Sequence, residues 1–214
     1  GAGMASLGAM NPSSGTPDMY NTAVGYSSGA GITTGQTNTA IGALTLVGTC
    51  TADGNSAVGY NALNAVTSGA SNSALGVSAL AFNTTGASNV AIGHSTLDAN
   101  TTGSNNVGVG MGALGANTTA SANTAVGYQS FAALTTGTRN TGLGYHSGLN
   151  ATSNDNVVVG YAAAEALTSG SSNIIIGSKS GQNLTEGNNN VVMGVEALDA
   201  ETLGDRNVAI GNQA

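Results

Sequence analysis

The sequence predicts an all-β parallel solenoid, a β-roll of about 12 coils, and three observations carry the prediction. The 214-residue chain repeats itself every 17 residues; each repeat contains a bulky apolar residue followed by glycine; and only 6% of residues are charged. Self-similarity at a fixed short period marks units that each bury an apolar face by stacking on their neighbours.

The units align on a terminal glycine. They read MASLG at 4–8, NTAVG at 21–25, NTAIG at 38–42, NSAVG at 55–59, NSALG at 72–76, NVAIG at 89–93 and NVGVG at 106–110. They continue with NTAVG at 123–127, NTGLG at 140–144, NVVVG at 156–160, NIIIG at 173–177, NVVMG at 190–194 and NVAIG at 207–211. Only the step from Gly144 to Gly160 is short, by one residue. The whole chain, 1–214, therefore reads as one repeat domain, in register from Met4 to Ala214. Because neither end shows a distinct capping repeat, it is expected to be a piece of a longer fibre.

Numbered from its asparagine, the unit Asn55 to Ser71 displays the columns: Asn55 at position 1, Ala57 at 3, Val58 at 4, Gly59 at 5, Leu63 at 9, Thr67 at 13 and Gly69 at 15. Seventeen residues are too few for a helical hairpin, and two glycines per unit would each cost a helix about 1 kcal/mol. The length suits one solenoid coil, with a strand at positions 1–5, a turn at the first glycine, a second short strand and a turn at Thr-x-Gly. Stacking such coils sets asparagine above asparagine, where their amides can bond along the stack.

Positions 3 and 4 must point to opposite faces of the strand, and both are apolar. In NVVVG, NIIIG and NVVMG the run is continuous, as in strands buried on both sides. One face is expected to meet the core of its own coil and the other a second chain, since monomers rarely leave such a surface bare. A cyclic homo-oligomer, with three chains about one axis, closes this arrangement most simply.

The pattern N-[TSV]-A-[VI]-G-Y-x-A-L-x-x-x-T-x-G, as at Asn55 to Gly69 and Asn72 to Gly86, resembles the repeats of bacteriophage tail fibres and of related bacterial surface proteins. Its core is also similar to the NSVAIG motif of trimeric autotransporter adhesin heads. The resemblance covers essentially the whole chain and implies a trimer of left-handed parallel β-rolls acting outside the cell, on a virion tail fibre or a bacterial surface.

Composition limits the partners. Lys and Arg number three, at Arg139, Lys179 and Arg206, against ten acids, so nothing can neutralise a run of phosphates and no nucleic-acid partner is expected. No 18-residue apolar run suggests membrane insertion, and no signal peptide is apparent. Cys50 stands in the threonine column as a small packed residue.

Catalytic, metal and cofactor residues are expected to be absent. His94 and His146 lie three coils apart, too far to share a metal. The acids Asp18, Asp53, Asp98, Asp155 and Glu165 occupy mostly different columns, and the cluster Glu186, Glu196, Asp199, Glu201 and Asp205 reads as a solvated edge, not a glycosidase pair. Gly108 to Gly112 adds glycines to the repeat without the βαβ context of a nucleotide loop. Asn83, Asn100 and Asn117 open Asn-Thr-Thr acceptor triplets but read as turn residues.

The expected function is non-enzymatic: a structural or adhesive fibre segment that projects a surface able to bind a glycan or protein receptor. Tyr26, Tyr60, Tyr128, Tyr145 and Tyr161 share position 6, either as a packing column or as an aromatic surface that stacks on sugars. An ice-binding solenoid is the alternative on low charge and abundant Thr, although adjacent pairs such as Thr84-Thr85 and Thr101-Thr102 diverge instead of forming one plane. A tailspike-like polysaccharide depolymerase is the second alternative, and the lack of inserted loops weighs against it.

Overall fold

The computed structural model describes Gly3, Leu7 and residues 19–214. Twelve three-residue strands form one parallel sheet in sequence order. They are β1 Thr22–Val24, β2 Thr39–Ile41, β3 Ser56–Val58, β4 Ser73–Leu75, β5 Val90–Ile92, β6 Val107–Val109, β7 Thr124–Val126, β8 Thr141–Leu143, β9 Val157–Val159, β10 Ile174–Ile176, β11 Val191–Met193 and β12 Val208–Ile210. The register is column on column, as in Ala57 opposite Ala74 and Ile175 opposite Val192. Coil 1 begins at Asn21 and each coil contributes one strand, so the expected β-solenoid is the fold.

The strand is confined to positions 2–4, and no second strand forms among the described residues. Positions 6–12 instead form an arc in which positions 7 and 9 adopt left-handed backbone, as at Asn61 (φ 61°) and Leu63 (φ 47°). A left-handed residue resets the strand alternation, so Ala62 and Leu63 both point inward and are fully buried. Placing a leucine there costs about 1–2 kcal/mol. Burying its side chain returns about 1.5–3 kcal/mol, and stacking satisfies the backbone. The Asn61 N–H donates to Ala43 on one side, and the Leu63 N–H donates to Ala79 on the other.

The asparagine ladder runs along the sheet margin. Asn106 Oδ1 accepts the Asn123 backbone N–H at 3.0 Å, and Asn106 Nδ2 donates to Asn89 Oδ1 at 3.1 Å and to the Ala120 carbonyl at 2.8 Å. In every complete coil but the third, where Asn55 Nδ2 is buried without a partner, the asparagine closes its own coil by joining position 1 to position 15, and throughout the stack its Oδ1 holds the next coil in register. Gly59, at φ +132°, lies so close to the next coil that a Cβ there would meet Gly76 O at 2.5 Å.

The structure refines the repeat reading at three places. Gly3 abuts Gly25 and the Leu7 N–H donates to Ser28 O, contacts that positions 5 and 9 make in the later coils. The other residues of MASLG at 4–8 lie outside the described residues. The Cys50 carbonyl accepts the Thr33 N–H and hydroxyl as the other position-13 carbonyls do, but a local bulge buries its side chain beside Ile32 and leaves Thr49 exposed, and Thr51 makes the onward bond to Thr67 O. Asn83, Asn100 and Asn117 are fully buried and form a second ladder, with Asn100 Nδ2 donating to Asn83 Oδ1 at 2.7 Å and Asn117 Nδ2 to Asn100 Oδ1 at 2.8 Å. In the folded chain they are closed to glycosylation. The short coil loses its residue between Thr152 and Ser153, and the pairing of β8 with β9 is untouched.

Core volume is traded between positions 3 and 9 in several coils, although coil 11 carries both Val192 and Leu198. Small Ala57 accompanies Leu63, whereas Ile175 accompanies Gly181 and Val158 accompanies Ala164. In coil 8 both positions are glycine, and Phe131 of coil 7 fills the space: a Cβ on Gly142 would meet its Cδ2 at 2.7 Å, and one on Gly148 would strike its ring edge.

Replacing Asn106 by alanine strands the Asn123 N–H in a buried site and is expected to cost about 3 kcal/mol, read by thermal unfolding and by faster amide exchange at Asn123. Gly148→Ala is expected to destabilise by about 2 kcal/mol or more through overpacking. Adding Phe131→Leu should recover part of that loss, so a double-mutant cycle should give a coupling of at least about 0.5 kcal/mol.

Candidate surface-binding face

Alternation decides what the strand displays. Position 3 is buried in all twelve strands, and positions 2 and 4 face outward. Position 4 carries Val24, Ile41, Leu75, Ile92, Leu143, Met193 and Ile210, which are exposed in the single chain, and Val58, Val109, Val126, Val159 and Ile176, which are partly buried. Position 2 is Thr or Ser in coils 1–4, 7 and 8, and Val or Ile in the other six. The sheet therefore presents an apolar outer ribbon twelve strands long without one charged residue. Sequence reading anticipated position 4 on this face but not position 2, because both were merged into one strand of positions 1–5.

The seven repeat-column residues are structural. Asn55, Ala57 and Leu63 are buried, Val58 lies on the outer ribbon, and Gly59 and Gly69 sit under the backbone of the neighbouring coil. Thr67 donates both its N–H and its hydroxyl to Thr84 O, at 2.9 and 3.0 Å. Thr84, Thr101, Thr168 and Thr185 repeat this bond. The position-13 hydroxyls are thereby consumed within the stack, while position 14 points outward, so the threonines form no paired flat array.

Beyond the Gly59-type bend, the position-6 tyrosines fall into two settings. Tyr128, Tyr145 and Tyr161, in consecutive coils, stack at 5.1 and 5.4 Å with planes within 15°. Their faces cover one another, which favours a packing role for these three. Tyr26 and Tyr60 stack on no aromatic ring among the described residues and are 57% and 54% exposed; Ala43 lies between them.

A polar chain that sequence reading missed adjoins the stack. His146 rests on Tyr145 at 4.0 Å, its Nε2 is 3.0 Å from Gln129 Oε1 and its Nδ1 is 3.2 Å from Glu165 Oε1. Gln182 Nε2 donates to Glu165 Oε2 at 2.9 Å. The only legible signal was the recurrence of long polar residues at positions 7 and 10 of adjacent coils. His94 is not part of this chain.

Elsewhere charges pair locally. Arg139 donates to both carboxylate oxygens of Asp155, at 2.6 and 2.8 Å, and holds that carboxyl below its ordinary range. The backbone N–H and side chain of Asn188 do the same for Asp205. Burial raises Asp98 and the Cys50 thiol, leaving Cys50 protonated and unreactive. Of the late acids, Glu196, Asp199 and Glu201 border one open cavity at the last coils, each with a separate partner: Glu196 bonds Gln213, Asp199 bonds Asn183 and Glu201 bonds its own following backbone. Among the described residues no group of three or more His, Cys, Asp or Glu is placed to hold a metal ion, and no helix is long and apolar enough to cross a membrane. Gly108 to Gly112 runs from β6 into the usual turn and opens no helix.

Comparison of the chain with protein-family models, with curated proteins and with solved structures yields no match.

The depressed Asp155 titration gives a pH prediction. Its ion pair contributes above the ordinary carboxylate range and is lost as pH falls through the lowered folded value. In Arg139→Leu the Asp155 carboxyl should titrate at higher pH by NMR, and any difference in melting temperature between the two proteins should vanish at the acid end.

Proposed function

We propose that this chain is a non-enzymatic structural and adhesive fibre segment, a rigid rod built by self-association, of the kind found in phage tail fibres or bacterial surface adhesins. The observation that carries the reading is the uncovered, charge-free outer ribbon of positions 2 and 4. At ~4.8 Å per strand and ~10 Å across, it spans roughly 600 Å², the upper end of apolar patches left on monomers. The chain has a net charge of −7, yet every charged residue of coils 1–12 lies off positions 2, 4 and 6. Two copies can therefore join these ribbons without opposing like charges.

The position-2 sequence favours parallel chains. Read from coil 1 to coil 12 it is Thr, Thr, Ser, Ser, Val, Val, Thr, Thr, Val, Ile, Val, Val. Antiparallel pairing over this span would set a hydroxyl against an aliphatic side chain at all twelve levels, burying hydroxyls without partners. Parallel in-register pairing matches every level, which fits a rotation axis along the fibre and, most simply, a homotrimer.

Sedimentation and small-angle scattering should show an elongated oligomer, and Ile92→Asp with Val126→Asp should reduce it to single chains with the same circular dichroism. A compact wild-type monomer would overturn the proposal.

A further inference from the structure

We propose that Tyr26 and Tyr60 form the two walls of a slot, floored by Ala43, that takes a neutral pyranose ring. The inference deepens the adhesive reading above and rests on it for the class of ligand. In coils 7–9 the position-6 rings stack at 5.1 and 5.4 Å and lie within 15° of parallel, and coils 1–3 keep the same column-on-column register. Two tyrosines separated by one coil are therefore about 10 Å apart at the strand spacing. Ala43 puts only a methyl group in the intervening level. A saturated ring in van der Waals contact with two aromatic planes needs roughly 8–9 Å, at ~4 Å to each side. A flat aromatic ligand needs less, about 7 Å, and would leave one wall untouched.

The surroundings suit an uncharged hydroxylated ligand. Both walls are as exposed as Tyr161 (54%), which ends the stack, and more exposed than Tyr128 (37%) and Tyr145 (44%) within it. Ser27 and Asn61 follow the two tyrosines at position 7, with Leu44 at the level between them. Coils 1–3 place no charge at positions 2, 4 or 6. Elsewhere in the column the slot is absent. Coils 7–9 fill every level with tyrosine, and between Tyr60 and Tyr128 the levels hold Val77, His94 and Met111.

The test uses the full chain titrated with methyl α-glucopyranoside, methyl β-galactopyranoside and N-acetylglucosamine, followed by NMR of the tyrosine ring protons. Saturable shifts of the Tyr26 and Tyr60 resonances are expected with at least one sugar. Tyr60→Ala and Ala43→Tyr, which fills the slot, should each weaken that binding at least tenfold, and Tyr145→Ala should leave it unchanged. Circular dichroism confirms that each variant is folded. Absence of saturable shifts with all three sugars, or undiminished binding by Ala43→Tyr, would overturn the slot. Binding confined to the single-chain Ile92→Asp, Val126→Asp variant would place the slot inside the assembly interface and also overturn it. The oligomeric state is measured separately by sedimentation, so failure of the assembly proposal is distinguishable from failure of the slot.

Discussion

The bond on which this structure depends is made by an asparagine at position 1. Its side chain donates across the coil to the position-15 carbonyl and accepts the backbone N–H of the next asparagine. One buried amide thus closes a coil and fixes the offset to its neighbour, and a buried group left unpaired would cost about 1–3 kcal/mol. Three-residue strands are too short to define register alone. A slip by one residue would turn the apolar position-3 side chains outward and break the ladder at every level. The conserved spacing of 17 is therefore enforced locally, coil by coil, and the single 16-residue coil keeps its asparagine bonds by losing its residue in the opposite turn.

With register fixed, glycine sets how close the coils can lie. At position 5 the chain bends with φ between +124° and +142°, directly beneath the backbone of the next coil. No side chain can be tolerated there, so all sequence variation is diverted to positions that face the core or solvent. The core responds by trading volume between positions 3 and 9, even across coils, as Phe131 does over Gly142 and Gly148. Close packing of this kind tolerates compensated change and penalises isolated change.

The solenoid, its strand register, the asparagine ladder and the opposed positions 3 and 4 were legible because each follows from a period or from alternation. The arc was not. A recurrent leucine next to a small residue reads as a strand, and no propensity places leucine at φ near +50°; only the stack, which bonds its N–H from one side and buries its side chain, makes that conformation the stable one. Cys50 misled for a related reason. A column defined by counting residues does not register a local bulge, and exposing Thr49 moves Cys50 into the core slot. The His146–Glu165 chain escaped because its members lie in different columns of different coils.

The same geometry bears on where recognition can sit. A repeat that admits no insertion has no loops to vary, so its surface chemistry changes only through side chains at outward positions, one per level. Along position 6 that variation generates two different objects from one residue type: tyrosines in consecutive coils consume each other's faces, whereas tyrosines two coils apart leave theirs free. Whether an aromatic column stabilises the rod or offers a ring-sized gap is thus set by the residue between the tyrosines. At Tyr26 and Tyr60 that residue is Ala43.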